Sequence, residues 1–507
     1  MKLRKIIKYL ILIIAILVVF TIGLSYAAFT AKITGSEKGT TIYSSSGVMQ
    51  IDYDGGPAIN VPEMFPNNEE FATKTFTVTG TSSYDEEMLY HIILVMNFNT
   101  FRDGALTYTL ESTNTDENGE VAPPTLTQKG IKTGEGETFL GNGKFAPTES
   151  QNKTHTYTLK LYFPLVDDFD HSVDLNKEFS AKIDIREGEG FCETCLGNKI
   201  LAQYGGADNI EEAPEGTFAS ISGSSDNLMY KMEDDYGMSY YFRGAKTHLS
   251  NNLIFAEHQW KIVRINGDGS IRIIYNGTCP NNECSINTIG EQTRITTTAF
   301  NSTANDNKFV GYMYGTYSTN YETAHANDED STIKTVLDNW YEENIKGTRY
   351  EGYLSDTIFC ADRTPHSGDG YGGVETYYAS YNRLQTNKTP TLKCSRKEDR
   401  FTVIDTEKGN GALTYPIALL TADEASLAGL LRSTNNTSNY LYTGENQWLL
   451  SPARFSGSAF PWLVYDYGIL NNYYVATHSR GARGVLNLNS NTEISGTGTS
   501  SDPYIVI

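Results

Sequence analysis

Residues 264–278 read RINGDGSIRIIYNGT, and how this stretch is read decides the fold around it. Two runs rich in Ile flank Asn266-Gly267-Asp268-Gly269. Asn, Asp and Gly are the residues that tolerate or supply positive φ in tight turns, so the spacing predicts a hairpin between two apolar strands. Two functional readings compete with a turn. A calcium loop of the EF-hand kind needs alternating oxygen ligands and a glutamate at its twelfth position. Counting from Asn266, that position holds Gly277. A dinucleotide fingerprint needs a helix after its glycines, whereas Ile271–Tyr275 carries β-branched residues in strand order.

Outward from this hairpin the C-terminal part of the chain reads as α+β. NLIFAEHQWKIVRI (252–265) is a strand region, and STIKTVLDNWYEENI (331–345) is a helix. Ser331 is placed to cap it, with Ile333, Val336, Leu337, Trp340 and Ile345 on one apolar stripe. TADEASLAGLL (421–431) is a second helix, in which Thr421 and Glu424 have capping-box spacing. Strands return at 460–479 and in the terminal DPYIVI.

The N-terminal part differs. TKTFTVTGT (73–81), MLYHIILVMNF (88–98), LTYTLEST (106–113), HTYTLKLYFPL (155–165) and FSAKIDIRE (179–187) are strand segments, most with the period of two, separated by polar turns. This pattern predicts an all-β sandwich over 28–188. Residues 189–225, including a short helical run around Leu196, Ile200 and Leu201, read as a disulfide-clipped hinge and linker. The α+β domain then occupies 226–507, and at 507 residues two or more domains are expected.

The formal charge is −21, and no basic stripe follows residue 8, which argues against a nucleic-acid partner. The first eight residues, MKLRKIIK, hold four cations and no acid, and YLILIIAILVVFTIGL follows without a charge. Ser25 and Ala27 stand as small residues before Ala28. Two readings stay open: a Sec-type signal peptide over residues 1–27, cleaved after Ala27, or an uncleaved N-terminal membrane anchor from Tyr9 to Phe29. Both put the remainder outside the membrane. The six cysteines fit an oxidising compartment. Neighbour pairing is one of fifteen connectivities. It gives Cys192–Cys195, Cys279–Cys284 and Cys360–Cys394, and is favoured because each pair lies within its own module.

Candidate chemistry is sparse. No H-E-x-x-H and no G-x-S-x-G is present, and the histidines show no base–nucleophile spacing. Cys192-Glu193-Thr194-Cys195 has redox spacing but lacks a βαβ frame, so it reads as a staple. His325, Asp328, Glu329 and Asp330 lie together and are a weak metal candidate; the alternative is a solvated loop entering a capped helix. No cofactor is expected. Residues 454–483, RFSGSAFPWLVYDYGILNNYYVATHSRGAR, concentrate residue types that dominate binding hot spots. Phe455, Phe460, Trp462, Tyr465, Tyr467, Tyr473, Tyr474 and Arg480 form the candidate ligand-binding surface. About half of them are expected instead to fill a strand-rich core.

Two resemblances bear on these stretches. LSYAAFTAKITGSEKG, KTFTVTGT and LTYTLES resemble the camelysin/TasA-like surface and biofilm-matrix proteins of Gram-positive bacteria, which implies a jelly-roll-like sandwich and fibre assembly. EDDYGMSYYFRGA, FCADR, YNRL, TPTLKCS, LLTADEASLAG, WLLSP and the ending from Gly484 resemble uncharacterised exported surface proteins of gut Firmicutes. The portion from QWLLSP to GVLNL is similar to C-type-lectin-like modules. The EPN and QPD tripeptides of sugar-binding lectins are absent, as is a counterpart to the cysteine pair of formylglycine-generating enzymes. The resemblance therefore implies a scaffold. The expected function is a non-enzymatic cell-surface or secreted adhesion protein with an extracellular glycan or protein ligand. A self-assembling matrix subunit and a metal-dependent surface enzyme are the alternatives.

Overall fold

The computed structural model describes residues 29–32, 40–43, 49–54, 60–82, 88–114, 119–125, 127–146, 151–166, 171–174, 176–188, 192, 194–223, 227–475 and 478–507. The leader over residues 1–27 lies outside the described residues. Among those described, no helix is long and apolar enough to cross a membrane. The chain divides into two compact units, Met1–Phe191 and Cys192–Ile507, and its architecture is β-rich and multidomain.

The first unit is built from two sheets. Its strands are β1 (Phe29–Lys32), β2 (Thr40–Tyr43), β3 (Met49–Asp54), β4 (Asn60–Met64), β5 (Glu70–Ser82), β6 (Met88–Asn99), β7 (Thr107–Asn114), β8 (Lys129–Gly130), β9 (Gly136–Phe145), β10 (Lys153–Tyr162) and β11 (Glu178–Glu187). One sheet runs β4-β1-β11-β6-β9 and the other β2-β3-β5-β10-β7-β8. The period of two has its physical origin here. Along β10, Tyr157, Leu159 and Leu161 are buried, while Thr156, Thr158 and Lys160 alternate away from the interior. Thr75 and Thr79 of β5 meet Thr158 and Thr154 of β10 through hydroxyl contacts of 3.1 and 3.2 Å. Phe76, Val78, Tyr90, Ile92, Leu140, Leu159 and Ile183 belong to one core fed by both sheets, which is the sandwich arrangement. One pairing departs from an all-antiparallel roll: β1 lies parallel to β11.

The second unit begins earlier than the sequence suggests. Helix α1 (Leu196–Gln203) buries Leu196 and Ile200 completely. The Leu196 amide donates to Thr492 O at 2.8 Å, and Thr194 Oγ1 donates to Glu493 Oε2 at 2.7 Å. The stretch from Cys192 to 223 is thus part of this unit, which corrects the reading of 189–225 as a linker. The local sequence is loop-like, but its hydrogen bonds run to residues near the C-terminus, Thr492, Glu493 and Thr497.

The unit continues through β12 (Asn227–Glu233), β13 (Met238–Gly244), β14 (Asn252–Phe255), β15 (His258–Ile265) and β16 (Ile271–Thr278). The opening stretch is a hairpin: Ile265 pairs with Ile271, and the Asn266 amide donates to Ser270 O at 2.8 Å. Gly269 has φ +82°, the region glycine reaches without strain. Gly267 is required by space, since a Cβ there would stand 2.4 Å from Asp234 Oδ1 and from Gly237 N. The terminal strand Tyr504–Val506 runs parallel to β14, so DPYIVI does end in a strand. A second sheet contains Gln447–Phe455, Ala459–Val464, Ile469–Asn472 and Arg480–Ala482. Helix α2 (Thr332–Asn344) is capped by Ser331, whose side chain accepts from Lys334 N. Helix α3 (Ala422–Leu427) carries the full Thr421/Glu424 capping box.

Candidate functional site

The hairpin that opened the sequence builds the most highly charged interior of the second unit. Arg264 and Arg272 are cross-strand partners in its register, and both are buried. Like charges directly opposite one another repel, so this pair demands an acid. Glu424, in the first turn of α3, supplies it. Its Oε1 accepts from Arg264 Nε at 2.9 Å and from Arg272 Nη1 at 2.7 Å. Its Oε2 accepts from the Thr421 amide at 3.0 Å. Burial alone pushes the Glu424 carboxyl upward, but Arg272 and Arg264 with the Thr421 amide overcome this and hold it at about 2.

Asp234 closes the other side. Its Oδ2 accepts from Arg264 Nη1 at 2.7 Å and from Gly267 N at 2.9 Å. Its Oδ1 takes the Tyr236 and Gly237 amides. One carboxylate thus ties two hairpin turns to the arginine pair.

These groups line a cleft open to solvent, whose walls also include Asp235, Tyr236, Ile358, Cys360, Asp362 and Arg383. Arg383 grips Asp423 with two bonds, Nε to Oδ1 at 3.0 Å and Nη2 to Oδ2 at 2.9 Å. Its Nη1 lies 2.7 Å from Asp362 Oδ2. Burial raises the Asp235 carboxyl above the usual range, against the opposing pull of the Cys394 amide and Arg400. Cys360 is bonded to Cys394, and the other bridges are Cys192–Cys195 and Cys279–Cys284, the neighbour pairing expected from the modules. They fit an oxidising environment. The cleft lining contains no histidine and no free thiol, and Ser451 Oγ is engaged by the Ala422 amide at 3.0 Å. No nucleophile–base pair converges there.

The aromatic stretch divides into a buried and a surface half. Phe455, Phe460 and Trp462 are interior, and Trp462 Nε1 donates to Ser380 Oγ at 3.0 Å. This removes Phe455 and Trp462 from any direct ligand contact and leaves Phe460 as a floor. All six residues of Ala459–Val464 are buried, because both faces of this strand are covered. Tyr467 is 59% and Tyr474 41% exposed, while Tyr465, Tyr473 and Arg480 are half-buried. Phe460 and Tyr474 ring centroids are 4.4 Å apart, Tyr473 and Tyr474 5.7 Å, and Tyr465 and Tyr473 6.4 Å. Arg454 lies over Phe460 at 4.5 Å and Arg480 over Tyr473 at 5.0 Å. The Nε of each arginine is buried without a hydrogen-bond partner. Sequence reasoning missed Arg454 as a member of this array, although a strand position neighbouring Phe455 was signal enough to include it.

The acidic metal candidate comes apart. His325 is buried, its Nε2 2.9 Å from Gly370 O. Burial first, and then Arg363, hold the imidazole well below its usual value. Asp328, Glu329 and Asp330 are exposed and occupied by Thr316 N, Thr316 Oγ1 and Lys334 Nζ. Among the described residues no three His, Cys, Asp or Glu side chains are grouped to hold a metal.

No family model matches the chain, and no curated protein matches it. Among solved structures, AvmM, which catalyses macrocyclization in alchivemycin A biosynthesis, is 13% identical. That alignment covers 31% of this chain and 98% of AvmM, with a TM-score of 0.13. Spo0M, a sporulation control protein from Bacillus subtilis, is 9% identical over 45% of this chain and 79% of its own, with a TM-score of 0.12. Both scores are too low to carry an argument about fold or function.

Proposed function

We propose that this chain is an exported, surface-displayed binding protein, non-enzymatic, whose second unit recognises an extracellular glycan through Tyr465, Tyr467, Tyr473, Tyr474 and Arg480. The observation that carries the reading is the ring and guanidinium array that runs from Arg454 over the buried Phe460 to Tyr474, Tyr473 and Arg480. Rings with an apolar face and a polar tip provide contact area at low entropic cost. In a chain of net charge −21, neither arginine pairs with an acid among the described residues, so hydrogen-bonding capacity stays available at the array. The basic and apolar leader supports export, with the disulfides consistent with that destination. The sandwich acts as a stalk of jelly-roll type, and residues 226–507 follow the C-type-lectin-like plan. Binding of the full mature chain to a glycan array tests the reading. A saturable signal that weakens on Arg480→Gln supports it. Absence of any signal, or one indifferent to Arg480, refutes it.

A further inference from the structure

The charged cleft carries one carboxylate more than its arginines match. Asp234 pairs with Arg264, Glu424 with Arg272, Asp235 with Arg400 at 3.2 Å, and Asp423 with the fork of Arg383. Lys393 is at the rim, where its ammonium is 2.7 Å from Glu233. Asp362 must share Arg383 with Asp423. It shares only the remaining edge of Arg383, and that contact is close without being aligned as a hydrogen bond, since neither Asp362 oxygen accepts one. Its side chain is 5% exposed. The next guanidinium along the chain, Arg363, is committed to Asp399, 2.6 Å away, and to the carbonyls of Met313 and Glu398.

A buried carboxylate oxygen without a hydrogen bond is unfavourable until a donor meets it. Asp362 is also held at φ +40°, a conformation unfavourable for a residue with a Cβ. Strain of this kind persists where the surroundings fix a side chain for a purpose. The strained residue lines the wall of an open cleft, two positions from the bridge-bonded Cys360.

We propose that the cleft is a binding site for an organic cation that donates hydrogen bonds, a primary ammonium or guanidinium group, seated on Asp362 Oδ1, the oxygen that Arg383 does not meet. Either group can donate a charge-assisted hydrogen bond to a single carboxylate oxygen. A metal ion is disfavoured by the absence of a third grouped acid, His or Cys ligand among the described residues. This site is separate from the tyrosine array, and its test does not depend on that reading.

Calorimetric titration of the full mature chain with methylguanidinium, n-propylammonium, tetramethylammonium and calcium chlorides tests the proposal at fixed ionic strength. At least one of the first two is expected to bind tenfold or more tightly than tetramethylammonium, which has charge but no donor. Whichever of the two prevails identifies an arginine-type or an amine-type ligand. Asp362→Asn removes the charge, and Asn is among the residues most tolerant of positive φ. It is expected to weaken that binding at least tenfold, while exposed Asp369→Asn leaves it unchanged. Equal affinity for tetramethylammonium, binding of calcium alone, or undiminished affinity in Asp362→Asn overturns the proposal. The wild-type discrimination among the cations holds the test open even if the variant folds poorly.

Discussion

Replacing Glu424 by Gln removes the one charge that stands between Arg264 and Arg272. The side chain keeps its size and part of its hydrogen bonding, so the loss is electrostatic. The folded-state value of about 2, against 4.5 for the free group, is a shift worth about 3 kcal/mol at 1.36 kcal/mol per unit. Because the folded value is depressed, this stabilisation is fully present above about pH 4.5 and is lost as pH falls toward 2. Leaving a buried pair half-broken typically costs 3–5 kcal/mol, and here two guanidiniums are left facing one another. Glu424→Gln is therefore expected to destabilise the second unit by about 3–5 kcal/mol at pH 7. The difference from wild type should shrink by about 3 kcal/mol between pH 5 and pH 2. Urea unfolding followed by tryptophan fluorescence is the assay. All four tryptophans, Trp260, Trp340, Trp448 and Trp462, lie in the second unit, so the signal reports that unit alone. A loss below about 1 kcal/mol, or a difference independent of pH, would refute the claim that Glu424 holds the arginine pair.

Four further outcomes follow from the same structure. Burial first, with Arg483 and Lys246 adding to it, lowers Lys261 to about 7; its Nζ donates to the amide oxygens of Asn252 and Asn287. The unfolded chain then binds the extra proton between pH 7 and 10.5, so wild-type stability relative to Lys261→Met should rise across that window, read from urea midpoints. Removing the Cys360–Cys394 bridge by double Ser substitution opens a 34-residue separation and should cost about 3–4 kcal/mol by chain entropy, seen as a lower unfolding midpoint. Trp462→Ala should cost about 3–5 kcal/mol as a core truncation, whereas Tyr467→Ala should stay within about 0.5 kcal/mol; equal effects would contradict the burial difference. Thiol labelling of unreduced protein from native cells should find none of the six cysteines free.

Much of the fold was legible because it rests on local chemistry. The 266–269 hairpin follows from turn residues between apolar strands, and the Ser331 and Thr421/Glu424 caps follow from side-chain oxygens placed at helix starts. The sandwich shows its period because its strands have a covered and a less covered face. Where that asymmetry vanishes, the sequence goes silent. Ala459–Val464 is buried on both faces, so Trp462 carries no in–out signal and reads equally well as surface or core. The unit boundary was misplaced because the partners of α1 lie almost 300 residues away. The same distance problem hid the cleft. Glu424 is 160 positions from Arg264, and nothing local to either stretch marks the pairing.

The central claim is that the tyrosine array makes the ligand contact. Its most direct measurement is the affinity of the secreted full chain for its strongest array glycan, in wild type and in Tyr473→Ala/Tyr474→Ala. The account predicts at least a tenfold loss with an unchanged unfolding midpoint, as expected for hot-spot rings at a surface. Unaltered affinity in the double variant would contradict it.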